Sequence, residues 1–131
     1  LRIVHEEGLE ARFARHARLG AACRAGLEAL GLPTFTAPDC RAATLSVMRL
    51  PAGVDDAAFR RETYRRGVTL AGGLGPIAGT AFRVGHMGNI GTAEIAATLE
   101  TVEASLAAVG TSVPRGAALA AAAPLLAGAG A

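Results

Sequence analysis

The 131-residue sequence contains no lysine and no tryptophan, and all thirteen of its basic residues are arginine. Without an ε-amino group the chain can supply no Schiff base, no P-loop lysine and no lysine general base. Aromatic residues make up 4% of the chain, too few to lay out a stacking platform for nucleic acid. Thirteen basic against eleven acidic residues leave a net charge of +2, which is no strong field for a polyanion either. The two cysteines, Cys23 and Cys40, form no CxxC pair, so neither a zinc site nor a disulfide framework is indicated and a reduced, cytoplasmic setting is expected. His5, His16 and His86 stand far apart in HxxxH and HExxH terms, and no metal is expected. A long hydrophobic run is also missing. The longest uncharged stretches, 67–82 and 116–131, fall short of the ~20 residues that span a bilayer, and the second is broken by Pro124, Gly128 and Gly130. The first residues, Leu1 to Glu7, lack the apolar centre of a signal peptide.

What is present suits a single folded domain, since 51% of the residues are apolar and the length allows a sizeable core. Between Glu6 and Leu30, Leu9, Phe13, Ala17, Gly20, Cys23, Leu27 and Leu30 recur every three or four positions, which predicts an amphipathic helix. Gly31 and Pro33 end it. Thr34 to Thr36 reads as a short strand, Pro38-Asp39 as a turn, and Ala43 to Leu50 as a strand. Asp55 is placed to cap a second helix through Phe59 and Tyr64 to Gly67, followed by a short strand from Val68 to Ala71. A glycine-rich loop, 72–79, leads into a strand from Thr80 to Gly85. Thr92 is expected to cap a third helix carrying Ile95, Leu99, Val102, Leu106 and Val109, stopped by Gly110. The alanine-rich segment 111–131 reads as a frayed helix or a mobile tail. This order predicts an α+β domain, with helices packed on one face of a small, largely antiparallel sheet.

Few constellations carry chemistry. Ser46 and Ser105 fall inside a strand and a helix with no GxSxG elbow, and Cys23 lies on an apolar helix stripe. The glycine loop lacks GK[ST] and does not open a helix, so it reads as a turn needing positive φ or close backbone approach. Arg83 stands out because Phe82 and Val84 should point to one face of their strand and Arg83 to the other. Such a guanidinium can grip a carboxylate through two parallel hydrogen bonds, or it can be an ordinary salt-bridged or snorkelling arginine.

The run from Val68 to Gly88, with Gly72-Gly-Leu-Gly75 and Phe82-Arg-Val-Gly-His-Met-Gly88, resembles the class V aminotransferases of the alanine–glyoxylate and serine–glyoxylate type. Weaker similarity extends upstream through Glu7 to His16 and downstream through 92–109. The resemblance implies that residues 1–110 form the C-terminal small domain of a fold-type I enzyme using pyridoxal phosphate. It also implies that Arg83 binds the substrate carboxylate. Gly72, Gly73 and Gly75 would pass close to the active-site mouth, while His86, Met87 and Gly88 would shape the next connection in a supporting role. The family's large domain supplies the lysine that holds the cofactor, and this sequence has none. The expectation is therefore the C-terminal portion of a longer, homodimeric enzyme, inactive alone, that exchanges an amino group between an amino acid such as alanine or serine and glyoxylate or pyruvate. A pyridoxamine–pyruvate transaminase is a variant of that reading. A desulfurase-type lyase is disfavoured because neither Cys23 nor Cys40 sits in a mobile loop. The alternative is a free-standing module that binds a small carboxylate or a partner domain.

Overall fold

Glycine at position 8 divides the first expected helix in two. The computed structural model describes residues 1–128, and in it α1 covers Arg2–Glu7 and α2 covers Leu9–Ala29, with Gly8 between them at φ +83°. The helix is not continuous from Glu6 because this backbone conformation, open to glycine, breaks the hydrogen-bond ladder. Nor is the apolar stripe buried along its whole length. Leu9 and Phe13 are 57% and 58% exposed, whereas Leu19, Ala22, Cys23 and Leu27 are fully buried. The exposed pair lies in the turns nearest α1, a helix that buries none of its own residues. At the far end, Gly31 N–H donates to the Glu28 carbonyl and Leu32 N–H to the Leu27 carbonyl, the paired bonds that close a helix on a left-handed glycine.

The expected strand at Thr34–Thr36 shrinks to a single bridge between Thr34 and Met48. Pro33 and Pro38 flank it and carry no N–H to extend a ladder. Pro38–Cys40 makes one 3-10 turn. Then β1 covers Leu45–Arg49, α3 Asp56–Arg65, β2 Ala71–Gly72, β3 Ala81–Gly85 and α4 Thr92–Ala108. The Asp55 side chain accepts from Ala58 N–H at 2.6 Å and caps α3, as the sequence predicts. The strand expected over Val68–Ala71 is displaced to Ala71–Gly72, because Val68 N–H is taken by the Thr63 carbonyl at the end of α3. On α4 the cap is Gly91 rather than Thr92. Glu94 reaches back to accept from Gly91 N–H at 2.8 Å, so the helix starts one residue beyond its cap with Thr92 already inside.

The three strands pair antiparallel in the order β1-β3-β2, so β3 is central. Met48 faces Phe82 and Ser46 faces Val84 across β1 and β3, and all four are buried. This row of side chains meets the helices. Phe82 stacks edge-on against Phe59 of α3 with ring centroids 5.1 Å apart, and Leu19, Leu27, Leu99 and Leu106 fill the same core. The fold is thus α+β, with helices on one face of a small antiparallel sheet.

Of the alanine-rich segment 111–131, residues 129–131 lie outside those described. Ala117–Ala127 form α5, which buries Ala118, Ala122 and Leu126, one side chain per turn, in the common core and packs on α2. Arg18 of α2 donates to the Leu125 and Leu126 carbonyls at 3.3 and 3.4 Å, placing a cation where the helix leaves unpaired oxygens.

Candidate functional site

Strand alternation decides where Arg83 goes. With Phe82 and Val84 committed to the helices, Arg83 points to the opposite face of the sheet, in register with Val47 on β1 and Ala71 on β2. Its Nε donates to the Gly72 carbonyl at 2.8 Å. Among the described residues no carboxylate lies within ion-pair distance of it, although seven ion pairs form elsewhere. One edge of the guanidinium is thereby fixed while both Nη groups keep their donors for another acceptor, the arrangement that recognises a planar carboxylate.

The glycine loop is bound tightly to the same strand. Gly73 N–H donates to the Ala81 carbonyl at 2.7 Å. A Cβ at Gly73 would lie 2.2 Å from the Ile77 carbonyl oxygen, so close backbone approach, one of the two expected reasons, holds there. Gly75 supplies the other, at φ +54°. Gly72 needs neither, because a Cβ there would be in ordinary contact with Arg60 at 3.4 Å.

His86 falls on the other side of the sheet from Arg83. It extends the Phe82–Val84 row, is fully buried, and shares a hydrogen bond of 2.9 Å between its Nε2 and Ser46 Oγ. Its ring lies against α2, where a Cβ on Gly20 would come within 2.7 Å of Cε1. Burial, then the positive charge of Arg24, lowers its pKa to about 4. The neutral ring is a packing element between β1, β3 and α2. Met87, by contrast, is 57% exposed.

Two residues that pattern reading misses hold the next segment. The Gly88 carbonyl receives Arg15 Nη2 at 3.0 Å and lies 3.3 Å from His16 Nε2, and the Ile90 carbonyl receives Arg15 Nη1 at 2.6 Å. Glu7 on α1 accepts from Arg15 Nη2 at 2.9 Å and from Arg12 Nη1 at 2.7 Å. The Arg15 hydrogen bonds, with those of Arg12, hold its carboxyl pKa down to about 2 against the cost of burial. The only signal in the sequence is an acid and a base eight positions apart across a glycine, a spacing that no single helix brings together.

A cleft of about 730 Å³ lies between α4 and the α4–α5 connection, lined by residues such as Glu103, Val113 and Arg115. It shares no residue with Arg83 or the glycine loop. Among the described residues no three His, Cys, Asp or Glu side chains gather in one place, and no helix is long and apolar enough to cross a membrane.

An uncharacterised aminotransferase of Methanocaldococcus jannaschii is 42% identical over 114 residues, 86% of this chain and 30% of that protein. The serine–glyoxylate aminotransferase of Arabidopsis thaliana is 38% identical over 128 residues, covering 96% of this chain and 32% of its own. The crystal structure of pyridoxamine–pyruvate aminotransferase from Mesorhizobium loti superposes with a TM-score of 0.91 at 31% identity, over 98% of this chain and 34% of that one. The chain belongs to the class V aminotransferases. A Synechococcus protein named as the small subunit of a soluble hydrogenase is also 39% identical over 128 residues, so a relative's name does not by itself fix an activity. No family model matches the chain. This aminotransferase chain spans about a third of the length of the relatives it matches.

Proposed function

We propose that this chain is the small domain of a pyridoxal-phosphate-dependent aminotransferase. The whole enzyme would move an amino group between an amino acid of serine or alanine type and a 2-oxo acid such as glyoxylate or pyruvate. Names of the relatives support that substrate class. The observation that carries the reading is Arg83, fastened through Nε to Gly72, without an acidic partner among the described residues and presented on the sheet face opposite the helices. A guanidinium so fixed holds a substrate carboxylate in one orientation, a positioning effect on the reaction.

The cofactor itself does not fit this chain alone. Pyridoxal phosphate supplies the electron sink for amino transfer and is held by a lysine amine, and the sequence contains no lysine. We therefore assign its binding to the remainder of a longer polypeptide and give this chain the carboxylate grip. With that reading go a chain inactive by itself, a homodimeric whole enzyme and a cytoplasmic setting.

The test is Arg83→Ala in the full-length enzyme. A fall in kcat/KM for the amino acid of roughly 10²-fold is expected. Arg83→Lys should recover little of it, because an ammonium offers a point charge in place of a planar fork. An unchanged kcat/KM in Arg83→Ala would remove Arg83 from the site.

A further inference from the structure

The Gly72 carbonyl that orients Arg83 belongs to a strand of only two residues at the edge of the sheet, and something must keep it in place. From the helix side that support is Arg60. A Cβ built at Gly72 would stand 3.4 Å from Nε, Cζ and Nη2 of Arg60 alike, so the guanidinium lies face-on to the glycine. Arg60 is in turn held flat by Asp56 one turn earlier on α3, through parallel bonds of 2.9 Å from Nε to Oδ1 and 2.8 Å from Nη2 to Oδ2. The helix beneath is fixed by its Asp55 cap and by Phe59, which stacks on Phe82, the neighbour of Arg83.

Gly72 is thus sandwiched. Its register partner is Phe82, so the position of its absent side chain faces the helices and Arg60, while its carbonyl serves Arg83 on the other side. Arg83 is in register with Ala71 and so leaves the sheet on the opposite face from the one that Arg60 covers. The charge of Arg60 is already matched by Asp56, so it does not compete for the carboxylate.

We infer that Arg60, held by Asp56, is a positioning residue for carboxylate recognition, acting through the Gly72 backbone to set the orientation of Arg83. The inference rests on the assignment of Arg83 to the substrate carboxylate. It predicts that the planar side chain matters as well as its charge, since a lysine cannot lie flat against the glycine and take both Asp56 oxygens.

The experiment is a double-mutant cycle in the full-length enzyme, reading KM for L-serine and the competitive inhibition constant of acetate, a carboxylate that cannot react. Arg60→Ala is expected to raise both roughly tenfold. Asp56→Asn should shift them in the same direction, Arg60→Lys should restore little, and Arg61→Ala, a change to the neighbouring arginine, should leave both unchanged. In an Arg83→Ala background, Arg60→Ala should add nothing further, because its effect passes through the residue already removed. The inference is overturned if Arg83→Ala weakens acetate while Arg60→Ala does not. It is equally overturned if the two losses simply add, as they would were Arg60 only a prop for folding. If Arg83→Ala itself leaves acetate inhibition unchanged, the Arg83 assignment falls and this inference with it.

Discussion

His86 and Glu7 are both held well below their ordinary pKa values, and both make the fold sensitive to acid. His86 takes up a proton near pH 4 when folded and near 6.5 when the chain is unfolded. The unfolded state therefore binds more protons between those values, and stability that is complete above pH 6.5 drains away as pH falls to about 4. Glu7 is held near 2 against an ordinary 4.5, so its contribution is complete above about 4.5 and is lost as pH falls towards 2. Denaturation midpoints measured from pH 7 to 2 should fall in these two successive windows. His86→Gln should flatten the upper one and Glu7→Gln the lower. A midpoint independent of pH between 6.5 and 4 in the unmodified protein would contradict the burial of a neutral His86.

At the scale of elements, α2, α4 and α5 meet closely at Gly26. A Cβ there would come within 2.6 Å of a Leu99 methyl and 2.9 Å of the Ala118 carbonyl. The leucine can turn aside, but the carbonyl can yield only if α5 moves. Gly26→Ala gains up to ~1 kcal/mol of helix propensity against ~1–3 kcal/mol of overpacking, so a net loss of stability is expected, read as a lower urea midpoint. A midpoint equal to or above the parent's would show that α5 is loosely seated. This junction also shows where the sequence stops being legible. Helices α3 and α4 and strand β3 follow from caps and alternation, and Arg83 was readable because Phe82 and Val84 flank it. The break at Gly8 was not, since the apolar stripe begins only beyond it, at Leu9, and a lone glycine does not by itself end a helical pattern. Helix α5 is not legible, because a segment of nearly uniform alanine offers no contrast between faces. Arg60 sits in Arg60-Arg61-Glu62-Thr63-Tyr64-Arg65-Arg66, where charge pattern alone marks none of the four arginines; only the docking of α3 against β2 selects one.

Taken whole, the molecule draws α2 to α5 and one sheet face into a single core and leaves Arg83 on the other face of the sheet. Substitutions at Arg83 should therefore affect ligand recognition with little effect on folding, whereas those at Gly20, Gly26 or His86 should do the reverse. Separately, the two thiols divide between inside and outside: Cys40 is exposed, while Cys23 lies at the centre of α2 with no exposed surface and a pKa pushed by burial up to about 12. The chain thus carries its own stopwatch. A maleimide should consume one thiol at once and the second only as fast as the helices part around α2, so the slow phase of labelling would time the opening of the core without any engineered probe, and a single fast phase at both positions would mean that the core breathes freely.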